Sequence, residues 1–247
     1  MSYILEVCAD SVQSAVAAQE GGAGRVELCS ALVIGGLSPS AAMFRQVKEN
    51  TDLKIRVLLR PRFGDFCYDE YEFQTLAEEV QQFRELGADG VVIGILKPDG
   101  TINMEQMAEL VNAAKGIGIT MHRAFDVCSN PYEALEQCVS LGIDTILTSG
   151  QRSCAWEGRE LLSELVRRAD GRIDILAGAG IGPEVIRELA DYTGVRSFHM
   201  SGKKVLDSRM EFRRSGVPMG IPGFSEFEIW QTDADQVRRA VEILKER

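Results

Sequence analysis

Leu86-Gly87-Ala88-Asp89-Gly90-Val91-Val92 is the stretch whose reading decides the fold. Glycine takes the left-handed backbone at little cost and so closes a helix, and the valines that follow favour a buried strand. The same order returns as Leu141-Gly142-Ile143-Asp144 before Thr145-Ile146-Leu147, and as Thr193-Gly194-Val195-Arg196 before Ser197-Phe198-His199. Gly21 to Arg25 is a looser copy. The repeating unit is helix, glycine turn, strand.

Outward from these copies, β-rich runs lie at Ile4 to Cys8, Arg25 to Cys29, Ile55 to Arg60, Gly90 to Ile95, Ile119 to His122, Thr145 to Thr148, Ile173 to Ala177 and Ser197 to Met200. Helix-like segments fall near 11–20, 40–50, 69–86, 103–115, 130–141, 157–169 and 183–192, with a last one near 233–246. Ser11, Asp69 with Glu72, Asn130 and Asp233 suit N-terminal caps, and Pro131 and Pro183 suit first helical turns. Strands alternating with helices over 247 residues predict a single (β/α)8 TIM-barrel domain, with an extra segment at about 203–232 between the last strand and the last helix. The alternative is an open doubly wound sheet. Its glycine-rich dinucleotide turn is missing after the first strand, where Ala9-Asp10-Ser11 stands, so no nucleotide cofactor is expected.

Composition narrows the partners. A net charge of −10 argues against nucleic acid or an anionic membrane surface. No apolar run reaches the ~18 to 20 residues of a spanning helix. The opening Met-Ser-Tyr-Ile-Leu-Glu does not read as a targeting segment, which leaves a cytosolic location as the expectation. The six cysteines, at 8, 29, 67, 128, 138 and 154, form no CxxC pair and read as thiols.

Alternation along the strands assigns side chains to the lumen. It turns Glu6 and Cys8 inward in the first strand, Glu27 and Cys29 in the second, and Arg56, Leu58 and Arg60 in the third. Thr120 and His122 follow in the fifth, and Ser197, His199 and Ser201 in the eighth. Charges in one interior are costly unless paired, so a self-satisfying ion-pair network is one account. Catalysis is the other, because active sites of this fold sit at the carboxyl ends of its strands. Gly118 to Asp126 shows the pattern best: an apolar run delivers His122, Arg123 and Asp126 within a few residues.

In the catalytic account Glu27 or His122 moves a proton, Glu6 orients a neighbour and His199 is the second acid or base, while Arg60 holds an anionic substrate. Arg62 and Asp65, in the loop after the third strand, either join that anion site or bridge each other. Ser149 in Thr148-Ser149-Gly150-Gln151, Gly178 and Gly180 in Ala177-Gly178-Ala179-Gly180, and Ser201-Gly202 end strands where small residues let amides approach a phosphate or carboxylate. Lys203 and Lys204 fall outside the strands read here, which disfavours Schiff-base chemistry. Cys8 and Cys29 occupy equivalent inward places on neighbouring strands, where two thiolates can hold Cu(I) or simply pack.

Glu6 to Ser11, Arg25-Val26-Glu27-Leu28-Cys29, Gly35-Gly36-Leu37-Ser38-Pro39-Ser40, Arg60 to Tyr68, Thr120 to Asp126, Leu147 to Gly150 and Ala177 to Gly180 together resemble the CutC family of copper-homeostasis proteins. The resemblance runs from the first strand to Phe212-Arg213-Arg214 and beyond. It implies a TIM barrel, a cytosolic location, a homodimer, and Cu(I) at the positions matching Cys8 and Cys29. A copper ion is the partner the resemblance implies; a small anionic metabolite is the partner the lumen charges imply.

Overall fold

The computed structural model describes residues 3–217, 219–221 and 223–246, so Met1 and Ser2 of the N-terminal reading lie outside the described residues. Eight parallel strands close into a barrel in sequence order: β1 (Ile4–Ala9), β2 (Arg25–Leu28), β3 (Lys54–Leu58), β4 (Gly90–Ile93), β5 (Gly118–Met121), β6 (Thr145–Thr148), β7 (Asp174–Ala177) and β8 (Ser197–Met200). The helices between and after them are α1 (Val12–Glu20), α2 (Ala41–Asn50), α3 (Glu70–Glu85), α4 (Met104–Ala113), α5 (Pro131–Leu141), α6 (Arg159–Ala169), α7 (Pro183–Thr193) and α8 (Ala234–Lys245). The architecture is a (β/α)8 TIM barrel.

Local chemistry sets the boundaries. The Ser11 side chain accepts from the Ser14 amide at the start of α1, Asp69 and Glu72 form a reciprocal capping box on α3, and Asn130 caps α5 ahead of Pro131. Gly142 and Gly194 end α5 and α7 with φ of 76°, a region open to glycine but strained for other residues.

The outward faces of the strands, with Leu5, Val7, Val26, Leu28, Val57, Val91 and Ile93, pack against Phe44, Val47, Leu76, Val80 and Phe83 of the helices. Each such side chain contributes roughly 1.5–3 kcal/mol by leaving water. This greasy ring leaves the inward faces for polar groups, and strand register aligns them. Glu6 on β1 pairs in register with Arg25 on β2 and with His199 on β8, while Cys8 pairs with Glu27.

Beyond β8 the chain forms an antiparallel ribbon, β9 (Lys203–Asp207) with β10 (Glu228–Thr232). This corrects the reading of Lys203 and Lys204, which do lie in a strand. Every residue of β9 is exposed, so no alternation of buried and open positions announced it. Backbone pairing with β10 holds it instead. Phe212 and Met219, between the two strands, are also exposed.

Candidate functional site

The innermost layer of the lumen is a chain of charges built by the register of β1, β2 and β8. Glu6 is 1% exposed, and its two carboxylate oxygens receive Arg25 Nε at 2.5 Å and His199 Nδ1 at 2.8 Å. The other ring nitrogen, His199 Nε2, stands 3.7 Å from Glu27 Oε2. Burial pushes the Glu6 carboxyl up, but the His199 hydrogen bond and the Arg25 charge overcome it and hold the group down at about 2. Glu27 lacks such partners. Burial, with the Glu6 charge added, raises it to about 7 despite His199 and Arg25, and its Oε1 has no hydrogen-bond partner. His199 is raised above the ordinary imidazole range, because Cys8, Glu27 and Glu6 outweigh the burial that would lower it.

Above this layer opens a cavity of about 260 Å³ at the carboxyl ends of the strands. Cys8, Glu27, Arg60, His122 and His199 line it, with Leu58, Phe66 and Leu147 as apolar wall and Arg123, Gly180 and Ser201 at other points of the lining. His122 follows β5 and opens a short 3-10 turn, where its Nδ1 accepts the Ala124 amide at 3.1 Å. A neutral imidazole that accepts at Nδ1 carries its proton on Nε2. Burial first, and then the Arg60 charge, lower His122 to about 3, so the ring is neutral at pH 7. Its Nε2 has no partner, and neither has Arg60 Nε. The remaining Arg60 nitrogens are held by the Gly36 carbonyl at 3.3 Å and the Gly64 carbonyl at 2.6 Å. Phe66 packs against both groups, 4.8 Å from the His122 ring at a tilt of 46° and 4.9 Å from the Arg60 guanidinium.

The CutC family model matches residues 3–204 of the sequence. The chain belongs to the CutC family. Within the family it is 46% identical over 240 residues to the family protein CutC of Parabacteroides distasonis, covering 96% of this chain and 99% of the relative. A mouse protein named copper homeostasis protein cutC homolog is 40% identical over 245 residues, 99% of this chain and 90% of its own. In three dimensions the chain is similar to CutC from Streptococcus agalactiae, with a TM-score of 0.76 and 30% identity over 81% of this chain and 98% of that one. A phosphoribosylanthranilate isomerase from Thermotoga maritima, 14% identical with a TM-score of 0.59 over the full length of both chains, shares the fold alone.

Two thiols of this CutC chain enter the lumen differently. Cys8 lines the cavity. Cys29 is fully buried, packs with Leu58, Val92 and Leu32, and donates to the Ala9 carbonyl at 3.6 Å. Burial, with smaller contributions from Cys8 and Glu27, pushes the Cys29 thiol well above its ordinary value. Glu6, Glu27 and His199 bring ligand atoms within 4.8 Å of one another. Arg25 and His199 already occupy both oxygens of Glu6, and the oxygen and nitrogen donors of the group do not suit soft Cu(I).

Other residues named from the sequence of this CutC chain are engaged elsewhere. Arg62 bonds Asp65 at 2.9 Å and Glu72 at 2.5 Å, which fastens the loop after β3 to the start of α3 rather than facing the cavity. Asp126 receives the Ser149 amide and hydroxyl at 3.0 Å and pairs with Arg123 at 2.7 Å, so Asp126 and Ser149 tie the loops after β5 and β6 together. Gly178 leaves room for Leu147, and Gly202 leaves room for the Met200 side chain. Neither faces the cavity. Sequence reasoning passed over Arg25 and Phe66. Strand parity could have found Arg25, two positions before Glu27, whereas nothing in the loop sequence distinguishes Phe66 from its neighbours.

Proposed function

We propose that this protein serves copper homeostasis, the role for which its mouse relative is named, by carrying Cu(I) on the thiolates of Cys8 and Cys29. The observation that supports the reading is the placement of Cys8 on the cavity wall, with Cys29 following the neighbouring strand β2 and its thiol pushed up in part by Cys8. Both donors are soft, and Cu(I) selects such ligands over the surrounding carboxylates. Because Cys29 holds its proton tightly, binding must release it, and affinity rises with pH. Thiols that stay reduced suit the cytosol. The exposed apolar side chains Phe212 and Met219 beside the ribbon suit a homodimer. Anaerobic Cu(I) titration of the wild type, Cys8→Ser and Cys29→Ser tests the reading. Weakened binding in both variants is expected, and equal stoichiometry and affinity in all three removes it.

A second reading is favoured by the partnerless Glu27 Oε1, Arg60 Nε and His122 Nε2 beside one cavity. Leaving a buried polar group unpaired costs about 1–3 kcal/mol, a cost that a bound polar molecule removes. In this reading the protein is an enzyme that performs acid–base chemistry on a small anionic metabolite bearing a phosphate or carboxylate. Thermal-shift screening against small phosphates and carboxylates tests it, since a ligand at 100 times its dissociation constant adds ~2.7 kcal/mol. No rise with any of them sinks this reading and leaves the copper titration untouched.

A further inference from the structure

Three features of the cavity go beyond general acid–base chemistry, and together they specify a reaction class. His122 presents a neutral ring whose proton sits on the partnerless nitrogen, because the Ala124 amide occupies Nδ1. Arg60 has Nε as its one guanidinium nitrogen without a hydrogen-bond partner, since Gly36 and Gly64 hold the ends of the guanidinium. Glu27 lines the same cavity, and one of its carboxylate oxygens is buried without a partner. Two residues with an unpartnered N–H and one with an unpartnered carboxylate oxygen line one space for a small molecule, and abstraction of a proton next to a carbonyl needs that set. A neutral imidazole is the better donor to a developing enolate, because its acidity is closer to that of the enol than an imidazolium's is.

We propose that the cavity enolises a small α-hydroxy carbonyl compound, with Glu27 as the base and the N–H groups of His122 and Arg60 holding the carbonyl oxygen. The inference rests on the acid–base reading of the same site and names its substrate class. In the step, the C–H bond beside the carbonyl breaks and its proton goes to Glu27. The C–H electron pair becomes the carbon–carbon double bond, and the carbonyl π pair moves onto oxygen as an enediolate. Returning the proton to the same carbon exchanges it with solvent. Returning it to the neighbouring carbon, with one proton crossing between the two oxygens through His122, isomerises the compound without oxidant or cofactor.

His199 and Glu6 are positioning residues: Glu6 fixes the ring through Nδ1, and the ring then stands 3.7 Å from the base to balance its charge. No lysine lines the cavity among the described residues, so the carbonyl is polarised by hydrogen bonds and not as an iminium. The volume of about 260 Å³ suits a small substrate, equivalent to about nine waters at ~30 Å³ each. Arg123 on the cavity wall supplies the charge for an anionic end. The partnerless atoms are closed to solvent, so contact with substrate requires the side chains packed on them, among them Phe66 against Arg60 and His122, to shift.

The test follows proton–deuterium exchange by proton NMR, with the full chain in D2O near neutral pH. Dihydroxyacetone phosphate, hydroxypyruvate and hydroxyacetone serve as probes, offering a phosphate, a carboxylate and no anionic group. Exchange at least tenfold above buffer is expected for one of the anionic probes and least for hydroxyacetone. Glu27→Gln should return exchange to the buffer rate. His122→Gln, which keeps an N–H donor, should retain more of kcat than His122→Leu with little change in KM, and circular dichroism establishes that each variant is folded. Exchange at the buffer rate for every probe, or full exchange in folded Glu27→Gln, overturns the proposal. Thermal shift with the same probes separates the two failures: stabilisation without exchange overturns enolisation while the acid–base reading stands, and neither effect removes both.

Discussion

Glu27→Gln should make the protein more stable at pH 8 and leave it nearly unchanged at pH 5. Folded Glu27 keeps its proton to about 7 against an ordinary value of 4.5. Between those values the unfolded chain binds fewer protons than the folded one, so wild-type stability falls as pH rises from 4.5 through 7. The interval of 7 − 4.5 is 2.5, which at 1.36 kcal/mol per pKa unit makes a loss of about 3 kcal/mol once Glu27 is ionised. Glutamine copies the shape and polarity of the protonated acid but cannot ionise. For a chain of this length about 3 kcal/mol moves Tm by roughly 6–12 °C. Calorimetry of both proteins at pH 5 and pH 8 measures the effect. A Tm difference that is the same at both pH values, or a variant less stable than wild type at pH 8, refutes the reasoning. Such a gain would also mean that the wild type keeps at this position a carboxylate that weakens its fold, as functional sites often do.

Three further outcomes follow from the same structure. Glu6 has the opposite sign: held at about 2 against 4.5, it contributes stability above pH 4.5 that is lost as pH falls toward 2, about 3 kcal/mol in all, and Glu6→Gln should remove this acid limb from a pH series of urea unfolding curves. Arg25→Met leaves the buried Glu6 carboxylate without its nearest cation, and should cost about 3–5 kcal/mol, read as a lower urea midpoint; an unchanged midpoint would contradict the role of the pair. Gly142 has φ of 76° and nothing within 4 Å of an added Cβ, so Gly142→Ala should cost only the left-handed backbone penalty of roughly 1–2 kcal/mol, with no change in ligand binding.

The barrel was legible because its signals are local. A glycine that must take positive φ, a side chain that caps the next helix and a run of β-branched residues each act within a few positions, and Gly142, Gly194, Ser11 and Asn130 do so here. Parity is local as well, which is why alternation turned Glu27, His122 and His199 toward the space they line. Strand β9 of the ribbon escaped the same reasoning, since a strand held by an antiparallel partner and open on both faces leaves no periodic trace.

Sequence by itself determined which side chains enter the lumen, because strand alternation leaves each residue only two directions to face. Their partners were decided by the tertiary structure. Glu6 and His199 are separated by nearly the whole chain yet meet at 2.8 Å, because closing the barrel makes β1 and β8 neighbours. Closure also sealed Cys29 behind Leu58 and tied Asp126 to Ser149, whereas the Ala124 amide sets the His122 tautomer locally. Ionisation depends on burial and on charges a few ångströms away, and only closure of the barrel sets those distances.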